Sequence, residues 1–235
     1  MYAVLGMSDA AKWYKKIKKG VVMMSKALVI MVAMVSIMLS SCTQREEAIV
    51  INSPEAAIQR LVQGNEDYVA GNRNRSDISH ARRVETADNG QHPFAIVVSC
   101  SDSRVPPEHV FSAGIGDLFV VRTAGNVVSD LDLGSIEFGA KHLGASVIVV
   151  LGHNLCGAVT AAMAGHIEGN ITSITKEIQP GIVGAQNQAE AERLNIANTY
   201  NRILESEIVR NLVEQGKLAV VQSKYDIHTG VVEFF

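Results

Sequence analysis

Residues 94–104 read FAIVVSCSDSR, an apolar run that breaks abruptly into a thiol, an acid and a base. Alternating apolar and polar residues would mark a half-exposed strand. Unbroken Val and Ile instead mark a strand buried on both faces, the habit of parallel strands inside an α/β sheet. Two more runs of this kind follow, Leu118–Val121 and Val147–Leu151, and the second also opens into polar chemistry, GHNLCG at 152–157. Parallel neighbours need a crossover. Leu133, Ile136, Phe138, Ala140 and Leu143 give Leu131–Leu143 the helical character to supply one. Together these segments predict an α/β fold with a mainly parallel central β-sheet flanked by helices.

Working upstream, Ser53-Pro54-Glu55 reads as a helix start, with Ser as N-cap, Pro at the first position and an acid in the first turn. Ala57, Ile58, Leu61, Val62, Tyr68 and Val69 continue it to Gly71. Residues 72–92 are polar, carry Arg73, Arg75, Arg82 and Arg83, and predict a long solvated loop. Downstream, Gln188 to Gln215 predicts a long helical region on Leu194, Ala197, Tyr200, Leu204, Ile208 and Leu212. Leu218–Gln222 and Val231–Phe235 predict two closing strands around a turn at Asp226–Gly230.

Ligand sites in open parallel sheets lie at the carboxyl ends of the strands. Both polar motifs fall there, so the sheet can bring Cys100, His153 and Cys156 together across about fifty residues of chain. Two thiolates and an imidazole make a zinc set that leaves a fourth position for water. Each residue alone has a plainer reading, Cys as a small buried hydrophobe and His as a loop residue. A redox pair is another alternative, but no Cys-x-x-Cys motif supports it. A structural zinc site would close with a fourth Cys or His, and no spare ligand is evident. Asp102 can coordinate a metal, or pair with Arg104 and accept a proton.

The chain has 235 residues, 47% hydrophobic and 19% charged, with a net charge of −3. That composition is too apolar for a disordered protein, and three cysteines are too few for a disulfide scaffold. The averages hide a boundary. Residues 1–41 hold six lysines and one acid for a net of +5, leaving −8 for the remainder, which gives no electrostatic case for a nucleic-acid partner. The uncharged run Ala27–Leu39 is too short to span a bilayer, which takes about 20 residues, and fits the h-region of a secretory signal. It ends in Leu39-Ser40-Ser41-Cys42, which resembles the lipobox of bacterial lipoproteins. The expectation is a signal over 1–41, from a start at Met1, Met23 or Met24. Residues 42–52 would then be a tether lipidated at Cys42, and 53–235 a catalytic domain anchored to a membrane in the periplasm or cell envelope.

CSDSRVPPE (100–108), GDLFVVRTAGN (116–126), GHNLCGA (152–158) and the closing YDIHTGVVEFF (225–235) closely resemble the β-class carbonic anhydrases. The resemblance implies one Zn²⁺ per subunit on Cys100, His153 and Cys156, and hydration of carbon dioxide to bicarbonate by zinc-bound hydroxide. Asp102 and Arg104 match the family's catalytic dyad; in some members this Asp swings onto zinc as a fourth ligand. Its pocket positions map onto Gln91, Phe119, Ala124 and Phe138, contributed across a dimer interface, and its members form dimers or higher oligomers. Plant-type members carry Val and Tyr where this chain has Ala124 and Phe138. A regulatory bicarbonate site in one branch needs a Trp where this chain has Val97. His109 is a candidate proton shuttle. Some relatives of the same fold hydrolyse carbon disulfide, and a non-catalytic zinc protein is a further reading, disfavoured by the intact Asp102 and Arg104.

Overall fold

A computed structural model describes residues 51, 53–71, 76–166 and 168–235. The expected signal, Cys42 and all of the tether except Ile51 lie outside the described residues. The first helix, α1 (Pro54–Ala70), starts as its sequence dictates: Ser53 Oγ accepts from Ala56 N, and Gly71 closes the end at φ 64°.

The sheet has five strands, β1 (Ala95–Ser99), β2 (Leu118–Arg122), β3 (Val147–His153), β4 (Ala219–Tyr225) and β5 (Val232–Phe234), in the order β2-β1-β3-β4-β5. All pairings are parallel except β4 with β5. Every residue of β1 and β3 is buried, which explains their unalternating sequences. Ile96, Val98, Ile148 and Val150 pack on one side of the sheet, and Ala95, Val97, Val147 and Val149 on the other.

The crossovers are α3 (Pro107–Val110), α4 (Asp130–Lys141), α5 (Gly157–Met163), α6 (Ile171–Ile178), α7 (Gln188–Leu204) and α8 (Glu207–Glu214), with 3₁₀ turns at Ala124–Asn126 and Gln179–Ile182. The chain leaves β1 toward β2 on one side and returns as β3 on the other. The crevice at the carboxyl ends of β1 and β3 is therefore the topological switch point of the sheet.

Three expectations need correction. Residues 72–92 are not all loop, because α2 spans His80–Asn89, capped by Ser79. None of its residues is buried, so it has no apolar stripe to betray it. Arg82 ties it down, donating from Nε to Ile115 O at 2.8 Å and pairing with Asp117 at 3.3 Å. The helical region 188–215 is broken at Glu205–Ser206, where Ser206 Oγ caps α8 by accepting from Val209 N at 3.2 Å. The buried stripe of α7 is Ala191, Glu192, Asn195, Ile196, Thr199 and Ile203, rotated from the face read in the sequence because three of its members are polar. Helices α5 and α6 add to the expected elements; Ile171, Ile174 and Ile178 recur on α6 at helical spacing.

Candidate metal centre

Cys100 follows the last residue of β1, and His153 is the last residue of β3, its neighbour in the sheet. Cys156 stands three residues on, as the N-cap of α5. The sheet thus closes the gap that the sequence opens. One ligand atom from each of Cys100, His153 and Cys156 lies within 4.8 Å of the other two, and all three residues are buried.

Each side chain is held by its own local contacts. Cys100 Sγ accepts from Gly125 N at 3.2 Å and from Asp102 N at 3.4 Å. Gly125 has φ +71°, and a Cβ there would sit 2.7 Å from Ile178 Cδ1, so both conformation and space demand glycine. Its carbonyl accepts from Asn195 Nδ2 of α7 at 2.8 Å. Arg122, at the end of β2, donates from Nε to Cys100 O and from Nη2 to Asp102 O, at 3.0 and 2.7 Å.

His153 Nδ1 lies 2.8 Å from Asn154 O, a carbonyl that can only accept, so Nδ1 carries the proton. That leaves the Nε2 lone pair buried and without a hydrogen-bond partner among the described residues. Asn154 is pinned in turn: its Nδ2 donates to Asp226 Oδ2 and its Oδ1 accepts from Ile227 N, both at 2.9 Å. Cys156 N donates to Glu192 Oε1 at 3.2 Å.

The electrostatics follow from crowding. The Cys156 S–H stabilises the Cys100 thiolate and draws its pKa down to about 4, against the opposing effect of burial. Cys156 moves the other way, upward, because its S–H is held by the hydrogen bond to Cys100, because burial disfavours a thiolate, and because losing the proton would place a second negative charge beside the first. Arg104 holds the Asp102 carboxyl down at about 2. Asp102 Oδ2 is 3.9 Å from His153 Nε2, so this carboxylate borders the cluster without entering it.

An orphaned imidazole nitrogen facing two buried thiols that cannot both ionise comfortably fits a divalent cation. Zinc takes sulfur at about 2.3 Å, which puts tetrahedral thiolates about 3.8 Å apart, a small adjustment from the spread seen here. Three protein donors would leave one coordination position for water, and Asp102 is the carboxylate that borders the cluster.

The remaining candidates are scattered. Ala124 opens the 3₁₀ turn whose Gly125 touches Cys100. Phe119 lies opposite Ile96 near the start of β2, about 13 Å along the strands from Cys100, and packs on half-exposed Phe138 at 6.5 Å between ring centroids. Gln91 is exposed on a shallow depression with Thr86, Gly116 and Leu143. His109 is exposed on α3, and Val97 is fully buried in β1.

Sequence reasoning missed Arg122, Asn154, Glu192 and Asn195. For the last two a signal existed: Glu192, Asn195 and Thr199 recur at helical spacing within a buried stripe, and polar groups on a buried face need partners.

Comparison with known proteins agrees with this geometry. Residues 95–232 match the family model described as carbonic anhydrase. Carbonic anhydrase 2 of Mycobacterium tuberculosis is 35% identical over 189 residues, covering 76% of this chain and 91% of that protein. A carbonic anhydrase of Mycolicibacterium smegmatis is likewise 35% identical, over 193 residues, with coverages of 77% and 93%. Among solved structures, the β-carbonic anhydrase CafA of Aspergillus fumigatus superposes with a TM-score of 0.60 at 26% identity, covering 66% of this chain and 81% of that one. The sheet order, the Cys-His-Cys cluster at its switch point and these similarities converge: the chain belongs to the carbonic anhydrase family, in its β class.

Proposed function

We propose that this chain catalyses the reversible hydration of carbon dioxide to bicarbonate and a proton, with zinc held by Cys100, His153 and Cys156. The buried cluster of these three residues, with His153 Nε2 left unpartnered, carries the reading. When bound, zinc supplies the Lewis acidity that makes water a nucleophile near neutral pH. Asp102 accepts a hydrogen bond from the attacking oxygen, fixing the lone pair toward substrate. Arg104 keeps that carboxylate ionised and in place through paired side-chain bonds. Carbon dioxide is small and uncharged, so an apolar pocket suits it better than a charged one, and Ala124 adjoins the cluster through its neighbour Gly125. Stopped-flow carbon dioxide hydration by the zinc-loaded protein tests the assignment. Activity indistinguishable from buffer, in protein that retains zinc, rejects it.

We further propose that Gln91, Phe119 and Phe138 serve the substrate pocket of a neighbouring subunit in a dimer or larger oligomer. Their distance from Cys100 within one protomer and the exposure of Phe138 and Leu131 support this. Sedimentation equilibrium of wild type and Phe138→Glu decides it; a wild-type monomer with full activity refutes it.

Lipid attachment at Cys42 is the third proposal, supported by the basic flank, the apolar run Ala27–Leu39 and the lipobox-like Leu39-Ser40-Ser41-Cys42. It would make the enzyme an exported, membrane-anchored protein of the periplasm or cell envelope. Palmitate labelling that disappears in Cys42→Ala supports it, and labelling that survives refutes it.

A further inference from the structure

Glu192, buried, and Lys224, partly buried, form an ion pair: Nζ is 2.7 Å from Oε2, and the side chains are 3% and 13% exposed. A charge pair removed from water contributes little to stability and is often replaceable by apolar residues, so its presence calls for another purpose. The other carboxylate oxygen gives one. Glu192 Oε1 accepts from Cys156 N at 3.2 Å and from Gln188 Nε2 at 3.0 Å. Cys156 begins α5 with no side-chain cap, so Glu192 satisfies a backbone donor that would otherwise be orphaned in the interior.

The fold is arranged to allow this reach. Ile196, one turn along α7 from Glu192, lies over Gly152, where a Cβ would come within 2.4 Å of Ile196 Cδ1. Glycine at 152 lets α7 approach the end of β3. Lys224 occupies the register position opposite that same glycine on β4. The loop between the two ligands of this stretch also contains Leu155 at φ +56°, a conformation that side chains other than glycine rarely adopt. Something must hold that loop at its far end, and the described contacts of the Cys156 backbone N–H lead to Glu192.

We propose that Glu192, charge-balanced by Lys224, is a positioning residue for the metal ligand Cys156, so that zinc meets a preformed site. The proposal rests on the zinc reading above. It differs from a purely structural role in what it changes: metal affinity, rather than melting temperature alone.

Zinc affinity is measured by chelator competition on the full chain, with the cobalt(II) spectrum as a second readout. All variants are compared below the melting temperature of their metal-free forms. Glu192→Leu with Lys224→Met removes both charges and the acceptor, and its zinc affinity is expected to fall about 10–100-fold, with shifted cobalt bands. Glu192→Gln with Lys224→Met keeps an acceptor oxygen and is expected to stay within about threefold of wild type. If the Leu pair does not fold, Glu192→Ala with Lys224→Met is read in its place. Affinity within threefold of wild type and an unchanged cobalt spectrum in the acceptor-less variant overturn the proposal. Cys156→Ser separates the two readings: wild type that binds zinc no better than this variant defeats the zinc assignment. Tight wild-type binding that is insensitive to Glu192 defeats only the positioning role.

Discussion

Arg104 grips Asp102 at three points: Nε to Oδ1 at 2.9 Å, Nη2 to Oδ2 at 2.7 Å, and its own backbone N to Oδ1 at 2.9 Å. This planar, two-toothed grip fixes both the direction and the charge of the carboxylate. Arg104 also reaches Leu155 O at 3.4 Å, on the loop between His153 and Cys156. Asp102 and Arg104 are thereby tied to the stretches that carry Cys100, His153 and Cys156.

Removing the grip should cost rate more than fold, because Arg104 is half exposed. Arg104→Ala is expected to lower kcat/KM about 10²-fold or more while zinc content stays at one per chain. Arg104→Lys should recover only part of that loss, since an ammonium cannot engage both oxygens in one plane. Stopped-flow hydration and metal analysis on the same samples measure both.

Gly125 gives a prediction about the thiol side. Alanine there must take φ +71° and push against Ile178 Cδ1 at 2.7 Å. Gly125→Ala is expected to destabilise the protein by about 1–3 kcal/mol and to weaken zinc binding, because the Gly125 N–H donates to Cys100 Sγ. Chemical denaturation and chelator competition test the two effects. Unchanged values for both would show that the turn relaxes freely.

Removal of metal should be felt by the whole domain. Without a cation the buried cluster holds two thiols that resist joint ionisation and an imidazole nitrogen without a partner. Whatever binds the native state alone stabilises it by mass action, about 2.7 kcal/mol at a hundredfold excess over Kd. The Tm should therefore rise with added zinc and fall on dialysis against a chelator. In Cys156→Ser the zinc dependence should largely vanish.

How much of this was legible in the sequence depends on which force fixed each element. The strands β1 and β3 were readable because burial on both faces leaves only apolar residues, and Cys100 and His153 stood out where those runs stop. Helix α2 was not readable, since it buries none of its residues and depends on Arg82 bonding to Ile115 and Asp117, contacts more than thirty residues away. Glu192 was hidden for the opposite reason: a charged residue on a helix reads as solvent-facing until its partner is known. That partner, Lys224, lies on β4 and is brought near only when α7 packs against the sheet. Gln91, Phe119 and Phe138 rest on the family resemblance alone: Phe119 and Phe138 pack on each other about 13 Å along the strands from Cys100, and no spacing in the sequence links them to it.

Asp226 carries the pH prediction. Its Oδ1 accepts from Thr229 N at 2.8 Å, from Thr229 Oγ1 at 3.1 Å and from His228 N at 2.9 Å, while Oδ2 accepts from Asn154 Nδ2. The backbone bond from Thr229 leads the causes that hold its pKa below the ordinary carboxylate value. A folded-state pKa below the unfolded one means that the ionised form favours folding. That contribution is fully present above the unfolded value, about 3.9, and is lost as pH falls through the lower folded value. Asp226→Ala should therefore lower the unfolding free energy at pH 7 by about 1 kcal/mol from the lost turn bonds, and the gap to wild type should narrow as pH falls below about 4. Because Asp226 also steadies Asn154, whose carbonyl accepts from His153 Nδ1, the same variant should weaken zinc binding at pH 7. Urea titrations at pH 7 and pH 3 check the first effect, and chelator competition the second. A gap that is equal at both pH values would mean the carboxylate charge plays no part in holding the turn.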